Sequence, residues 1–412
     1  MKLFKTSFVI MAAFVMAIAL SGYADAFHSG GVAECGGCHS MHSPAPGGVY
    51  LLVGTDQSSA CLTCHENAAD TGPSSYRIST ADASLGAGQA PLQRTPGGDF
   101  GWLKKTYTWV VRGNLNTEDG ATHGHNIIAV DKNYTADTHN TSAPGGVFPS
   151  NQLSCVSCHD PHGKYRRNTA GTISTTGLPI KTSGSYNATG NEPSATEAVG
   201  VYRLLAGAGY TKDGVTFNGV PAAKVPSTYN KSEALTQTRV AYGVASTGGH
   251  STWGNWCGTC HSAMHSSGNY VHPVDQNLGS AIKTIYDTYV KTGDMTGSNA
   301  TAFLSLVPFA PNTNSYSSLA GLSGNAATSA GPSTSDQVTC VSCHRAHASG
   351  AEYMLRWNNE STFITVNGAY ATDPSNGRGR TAAEWQAAYY DRPATTWATF
   401  QRGLCNKCHA KD

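Results

Sequence analysis

Six pairs of cysteines, each followed directly by a histidine, carry the clearest chemistry in this chain. The first pair lies near the start, in the stretch ECGGCHSMH. C-x-x-C-H is the attachment sequence of c-type haem, in which the two thiols add to the two vinyl groups of the porphyrin and the histidine becomes an axial ligand of the iron. The cysteines are Cys35, Cys38, Cys61, Cys64, Cys155, Cys158, Cys257, Cys260, Cys340, Cys343, Cys405 and Cys408, and the adjacent histidines are His39, His65, His159, His261, His344 and His409.

Two other uses of paired cysteines explain the pattern less well. The motifs account for all 12 cysteines of the chain. A secreted disulfide framework does not need a histidine after every second cysteine. Structural zinc sites more often group four cysteines, or two cysteines with two histidines, than repeat one five-residue unit. We therefore expect six covalently bound c-type haems.

The second axial ligand of each iron is expected to be another histidine. The chain has 16 histidines, of which ten lie outside the motifs, whereas only Met41, Met264, Met295 and Met354 remain beyond the leader. Four methionines cannot serve six haems, and ten histidines can. Bis-histidine ligation also lowers the reduction potential relative to Met/His ligation.

Spacing separates these ten histidines into groups. His42, His162 and His347 each follow a motif histidine by three residues, in the pattern C-H-x-x-H, and His265 follows His261 by four. Such a side chain lies on the same side of the porphyrin as its own motif histidine, so it cannot reach the opposite face of that iron. If it is a ligand, it binds a different haem and brings two haems close together. The alternative is a surface histidine or one that bonds a propionate.

The remaining histidines lie away from the motifs. His28, His125 and His272 are candidates for the haems that lack a local donor, and His123, His139 and His250 are weaker candidates. Ten candidates for six places leave four to spare, and sequence alone does not pair each distal histidine with its haem. A basic run, KYRR at 164–167, suits haem propionates or a solvated turn equally well.

The elements that position these residues are expected to be short. Stretches between the motifs are rich in Gly, Ser, Thr, Asn and Pro, which favours turns and irregular structure. Helix is expected at each motif, at Ser280 to Lys291 and, with a threonine cap, at Thr381 to Tyr390. Lys105 to Arg112 has the best strand pattern, in a hairpin or against a haem face. The intervals between motifs are irregular, so no copied repeat module is expected.

Residues 1–26 are typical of a cleaved export signal. Two lysines precede an apolar run from Phe8 to Leu20, and Ala24-Asp25-Ala26 forms an A-x-A cleavage site. The run is too short to span a membrane, although a retained anchor is the alternative, and no later stretch is long enough to span. Residues 27–412 are expected to form one hexahaem domain. Their net charge is zero once the leader's lysines and aspartate are removed, which argues against a nucleic-acid partner.

Several blocks between the motifs carry a family resemblance. FHSGGVAECGGCHSMH, DTGPSSYRIST, TPGGDFGWLKKTYTW, GHNI, CHDPHGKYRR, CHRAHASG and CNKCHAKD resemble the OmcS-type hexahaem cytochromes of metal-respiring bacteria, from Phe27 to Asp412. The resemblance implies a multihaem cytochrome c fold, mostly coil and turns with short helices and very little strand, wrapped round a chain of six haems. His123, His139 and His250 lie outside the similar blocks, which weakens them as ligands.

The resemblance also implies assembly and ligand roles. Members of that family polymerise outside the cell into conductive filaments. The histidine similar to His42 ligates the haem at the fifth motif of the neighbouring protomer. The resemblance implies that His265 is a further candidate and that the distal ligands within the protomer are His28, His125, His162, His272 and His347.

Three functions are weighed against one another. The first is a secreted filament subunit, a homopolymer that passes electrons to extracellular acceptors such as metal oxides, partner cells or other cytochromes. The second is a soluble periplasmic or extracellular shuttle. The third is a multihaem reductase, which needs an open iron position. The chain has no C-x-x-C-K variant and has spare histidines, so an electron carrier without enzyme activity is expected.

Overall fold

The computed structural model describes residues 35–67, 76–162, 202–226, 238–244, 250–264, 272–324 and 329–409. The expected export signal, His28, His265 and the basic run at 164–167 lie outside the described residues. Within the described residues, the chain is mostly coil and turns, with short helices and small strand pairs, and this confirms the predicted fold class. No helix in this part of the chain is both long and apolar enough to cross a membrane.

Seven short α-helices are present in the described ranges. They are α1 (Cys35–Cys38), α2 (Gln57–His65), α3 (Trp253–Gly258), α4 (Gly279–Thr288), α5 (Tyr316–Leu322), α6 (Cys340–Cys343) and α7 (Ala382–Ala388). Helix α7 lies inside the predicted stretch Thr381 to Tyr390, and α4 overlaps the predicted stretch Ser280 to Lys291 but begins one residue earlier. Thr381 caps α7 as expected, in a capping box in which its side chain accepts from Glu384 N and Glu384 accepts from Thr381 N.

Short 3-10 helices supply the other helical turns. They are Val49–Leu51, Asp82–Ser84, Phe100–Lys104, Gly120–His123, Val130–Lys132, Ser150–Gln152, Cys155–Ser157, Tyr202–Leu204, Ser262–Met264, Asn299–Thr301, Glu352–Met354, Ala394–Thr396 and Leu404–Lys407. Every haem motif therefore has helical structure within or beside it, as predicted, because a helical turn brings two cysteines three residues apart to one side.

All sheets in the described part of the chain have two strands. The pair β1 (Tyr107–Val111) and β2 (Asn114–Glu118) forms the antiparallel hairpin predicted around residues 105–112, with Val110 opposite Leu115. The other strands have two residues each: β3 (Thr211–Lys212), β4 (Val215–Thr216), β5 (Val220–Pro221), β6 (Ala223–Lys224), β7 (Ala241–Tyr242), β8 (His250–Ser251), β9 (Thr365–Val366) and β10 (Ala369–Tyr370). The antiparallel pairs are β3–β4, β6–β7 and β9–β10, whereas β5 and β8 run parallel.

Small apolar clusters replace one large core, and the haem motifs lie at their edges. One cluster, around Phe217 and Trp256, packs against Cys158 and Cys257. A second, around Trp385, packs against cysteines of the last two motifs. Because motif residues border the clusters, the polypeptide core and the attachment sites share one interior.

A buried ion cluster fixes the end of β2 near the C-terminal third of the chain. Glu118 accepts from Arg378 Nε at 3.0 Å, from both terminal nitrogens of Arg380, and from His123 Nε2 at 2.9 Å. Arg380 and His123 are both fully buried. Burial alone raises the pKa of Glu118, but the His123 hydrogen bond and the Arg380 charge outweigh it and hold that pKa well below its usual range.

Candidate haem-ligating histidines

The third and fifth motifs start in the same way for a local reason. Both read C-V-S-C-H, and each is preceded by a hydroxyl residue, Ser154 or Thr339. The backbone N–H of that residue donates to the motif serine, from Ser154 to Ser157 Oγ and from Thr339 to Ser342 Oγ, each at 3.0 Å. These capping boxes begin the helical turn at the first cysteine and thereby set the direction of both cysteine side chains.

Five of the six motif histidines have the same ring contact. Their Nδ1 atoms lie within hydrogen-bond distance of a backbone carbonyl: His39 with Tyr50 at 2.9 Å, His65 with Tyr76 at 2.7 Å, His159 with Arg203 at 2.8 Å, His261 with Pro144 at 2.8 Å and His344 with Tyr353 at 2.8 Å. A carbonyl can only accept, so Nδ1 carries the proton and donates it. The Nε2 lone pair then remains available for a metal, which is the arrangement that orients histidine ligands.

His125 has the same arrangement although it lies outside the motifs. Its Nδ1 lies 2.7 Å from the carbonyl of Ala346, so Nε2 is again the free nitrogen. Loss of solvation lowers the pKa of His125 and of His159 to about 4, and that of His347 to about 3. These imidazoles are therefore neutral at physiological pH, as a metal ligand has to be.

Four motif histidines face a second imidazole at a nearly constant distance. The ring centroids are separated by 6.1 Å for His39–His162, 6.3 Å for His159–His347, 6.0 Å for His261–His125 and 6.2 Å for His409–His272. Imidazole nitrogens bind transition metals at about 2 Å, so two imidazoles on opposite faces of one iron have centroids about 6 Å apart. Each pair thus has the separation that a bis-histidine haem requires.

The two other motif histidines, His65 and His344, are outside these four pairs. Two candidate donors, His28 and His265, lie outside the described residues. The third, His42, is exposed at the end of the first motif. In the described ranges, His42 is the C-H-x-x-H histidine that is not paired with a motif histidine.

His123 and His139 have other partners. His123 is fully buried, with Nδ1 2.9 Å from the carbonyl of Ser349 and Nε2 2.9 Å from Glu118. Both ring nitrogens are occupied, so this histidine is part of the ion cluster. His139 is half exposed and lies 3.4 Å from Asp119. His250 belongs to β8, and its side chain lies outside the described structure.

Cysteines of neighbouring motifs are in contact with each other. The thiol of Cys155, from motif three, raises the pKa of Cys61 in motif two. The thiol of Cys340, from motif five, raises the pKa of Cys257 in motif four. The second and third haems would therefore be attached close to each other, and so would the fourth and fifth.

A repeated backbone unit lies against motifs one, three and five, the three that read C-H-x-x-H. We name it the strap, and its copies are residues 49–53, 202–206 and 352–356. In each copy the motif histidine donates to the carbonyl of the second strap residue. The backbone N–H of the residue after that histidine donates to the carbonyl of the third strap residue. The backbone N–H of the fifth strap residue donates to the carbonyl of the second motif cysteine. These last two hydrogen bonds measure 2.7 to 2.9 Å in all three copies.

The strap has an unusual backbone that explains its shape. Its second and third residues have left-handed dihedral angles in every copy. With each strap numbered by the motif that it contacts, φ is 57° and 57° in strap one, 52° and 56° in strap three, and 58° and 59° in strap five. Non-glycine residues seldom adopt this conformation. Its recurrence at three motifs indicates that the hydrogen bonds to the motif hold it in place.

Sequence reasoning missed the strap. The second residues are Tyr50, Arg203 and Tyr353, which share no chemistry, because the contact with histidine uses the backbone carbonyl. The available signal is weak: Leu51-Leu52, Leu204-Leu205 and Met354-Leu355 occupy the next two positions. The irregular intervals between motifs concealed a structural unit that repeats at every second motif.

Comparisons with known proteins agree with this architecture. No protein-family model matches the chain. The chain is 51% identical to the C-type cytochrome OmcS of Geobacter sulfurreducens over 440 aligned positions, covering 99% of each chain. It is also similar to two solved structures, the OmcS nanowires from Geobacter sulfurreducens, studied by cryo-electron microscopy, and the outer membrane cytochrome S filament from the same organism. Both have a TM-score of 0.81 and cover 94% of this chain and 100% of their own, at 52% and 51% identity. With its motifs, its paired imidazoles and this degree of identity, the chain belongs to the OmcS family of c-type cytochromes.

Proposed function

We propose that this protein is a secreted electron carrier with six covalent bis-histidine c-type haems, and that it polymerises into an extracellular filament. Covalently bound c-type haem supplies a one-electron couple at each iron. The polypeptide contributes the axial imidazoles, fixes their orientation through backbone carbonyls, and leaves no iron position open for a substrate. Electrons pass to extracellular acceptors such as metal oxides, partner cells or other cytochromes.

Four haems receive both axial ligands from the paired imidazoles. His39 and His162 bind haem 1, His159 and His347 bind haem 3, His261 and His125 bind haem 4, and His409 and His272 bind haem 6. The common centroid separation supports the assignment. Haem 2 has His65 as its motif ligand and His28 as its distal ligand. The alternative distal ligand is His265.

The filament proposal rests on a regular two-motif step: the last histidine of a C-H-x-x-H motif faces the motif histidine of the haem attached two motifs earlier. His162, from motif three, faces the motif histidine of haem 1, and His347, from motif five, faces that of haem 3. Each donor therefore serves the haem two motifs earlier. The same step leads from the first motif of one protomer to haem 5 of its neighbour, so His42 is the ligand that completes His344. A step of this kind is heterologous and generates an open filament.

The exposure of the three straps is consistent with a two-motif step that continues from one protomer to the next. The middle copy is covered, and its first, third, fourth and fifth residues are buried. The terminal copies expose apolar residues: Tyr50 is 75% exposed in strap one and Tyr353 is 58% exposed in strap five. Met41, beside His42, is 79% exposed. Equivalent surfaces that are covered inside the chain and open at its two ends are suited to cover each other between protomers.

The test is the substitution His42→Ala in the secreted protein. All six haems remain attached, because the cysteines are unchanged, but filaments shorten or disappear and one haem per protomer becomes high-spin. Electron microscopy and magnetic resonance measure the two effects. His139→Ala is the matched control, since it removes another exposed histidine and changes neither. Filaments of normal length with wholly low-spin haem in His42→Ala would refute the proposal and favour a soluble shuttle.

A further inference from the structure

The three straps differ at one position in a way that bears on haem 3. Their second residues are Tyr50, Arg203 and Tyr353, which occupy equivalent places, and the backbone carbonyl of each accepts a hydrogen bond from a motif histidine. The two tyrosines are exposed, whereas Arg203 is partly buried in the covered middle copy. Only this strap therefore carries a positive charge at its second position.

Arg203 contacts the motif ligand of haem 3 through its backbone. The Arg203 carbonyl is 2.8 Å from His159 Nδ1, and His159 lies 6.3 Å from His347, centroid to centroid. The positive charge of Arg203 therefore belongs to a residue in direct contact with the proposed axial pair of haem 3.

This guanidinium is also incompletely bonded. Its Nε atom is buried and has no hydrogen-bond partner among the described residues, although the group lies 5.9 Å from the Tyr202 ring centroid. A buried guanidinium donor normally pairs with an acceptor. Haem propionates are carboxylates, and the planar fork of arginine is suited to them. The partial burial of Arg203 next to the third haem motif thus fits the propionates that a haem would bring there.

We propose that Arg203 is a positioning residue that raises the reduction potential of haem 3. This inference rests on the proposed axial pair of His159 and His347. Ferric iron carries one more positive charge than ferrous iron, so a nearby cation disfavours the oxidised state. A propionate neutralised by Arg203 gives the same sign, because removal of the arginine leaves that negative charge uncompensated.

The strap itself supplies the test substitution. Arg203→Tyr gives the middle copy the residue that both other copies accept in the same left-handed conformation. In an EPR-monitored potentiometric titration of the assembled protein, the low-spin signal of haem 3 should persist and titrate at lower potential. At a fixed applied potential its ferric-to-ferrous ratio should rise several-fold. The haem 3 signal is assigned as the one lost in His347→Ala.

Two controls separate charge from structure. Arg203→Lys keeps the charge and should retain the wild-type potential, whereas Tyr353→Phe, at the equivalent position of strap five, should shift none of the haems. An unchanged haem 3 potential in Arg203→Tyr, or an equal shift in Arg203→Lys, would overturn the proposal. If Arg203→Tyr does not accumulate with haem, Arg203→Gln provides the same comparison. If His347→Ala loses no low-spin signal, the axial assignment is refuted instead, whatever the Arg203 variants show.

Discussion

The imidazole rings of His159 and His347 lie 6.3 Å apart, centroid to centroid, although they belong to the third and fifth haem motifs. In the proposed ligation, the fifth motif supplies one ligand to its own haem and another to haem 3. Loss of that motif would then disturb two haems. Coupling of this kind makes the haem chain and the fold dependent on each other, because each distal ligand ties two distant parts of the polypeptide together.

Replacement of His347 should open one iron without detaching any haem. In His347→Ala, the fifth motif keeps both cysteines and His344, so haem attachment is unchanged. Haem 3 loses its second ligand, and one of the six haems becomes high-spin in the ferric state. Magnetic circular dichroism and EPR count the high-spin fraction. An entirely low-spin spectrum would contradict the pairing.

His123 should behave differently, and it provides a comparison for the ligands. In His123→Gln, the amide can still bond Glu118, but the carbonyl of Ser349 loses its donor. We expect destabilisation of about 1–3 kcal/mol from the disturbed buried hydrogen bonds, with all six haems low-spin. Thermal unfolding and EPR on the same sample measure both effects. Appearance of a high-spin haem would mean that His123 is a ligand after all.

Local parts of this structure follow from sequence, and long-range parts do not. The cap of α7 could be predicted because Thr381 and Glu384 are three residues apart and interact within one helical turn. The pairing of His159 with His347 could not be predicted. The spacing of His347 from His344 indicates that it cannot bind the haem of its own motif, but it does not identify the haem that it binds. The strap left little trace, since it acts through backbone carbonyls and left-handed dihedral angles that tyrosine and arginine can both adopt.

The ion cluster around Glu118 should make stability depend on acid pH. The pKa of Glu118 is held below its unfolded value of about 4.3. A lowered pKa stabilises the fold above the unfolded pKa, and this contribution disappears as the pH falls through the folded pKa. Glu118→Gln should therefore destabilise the protein by about 3–5 kcal/mol at neutral pH, and should reduce the loss of stability below about pH 4.3.

Denaturant unfolding between neutral pH and pH 3 tests this prediction. The matched control is Glu360→Gln, which removes an exposed carboxylate outside the cluster. Equal acid sensitivity of the wild type and Glu118→Gln would show that the cluster does not set the acid limit.

The left-handed backbone of the strap predicts opposite effects of glycine and proline at one position. Tyr353 has a φ of 58°, and its carbonyl accepts from His344. Glycine adopts this φ without strain, so Tyr353→Gly should change the unfolding free energy by less than about 1 kcal/mol and leave haem 5 unchanged. Proline is fixed near −65°, so Tyr353→Pro should displace the carbonyl and alter the EPR signal of haem 5. Identical EPR spectra for the two variants would show that the carbonyl does not orient His344.

The exposed tyrosines of the terminal straps should become protected when protomers assemble. Tyr50 and Tyr353 lie on the surfaces that the two-motif step brings against neighbouring copies, so nitration of both should be several-fold slower in filaments than in unassembled His42→Ala protein. Tyr76, which is 47% exposed beside the second motif, provides the internal reference. Peptide mass spectrometry measures the three rates. Equal nitration of Tyr50 in both states, with Tyr76 unchanged, would place the contact between protomers elsewhere and leave the strap surfaces open to solvent or to extracellular electron acceptors.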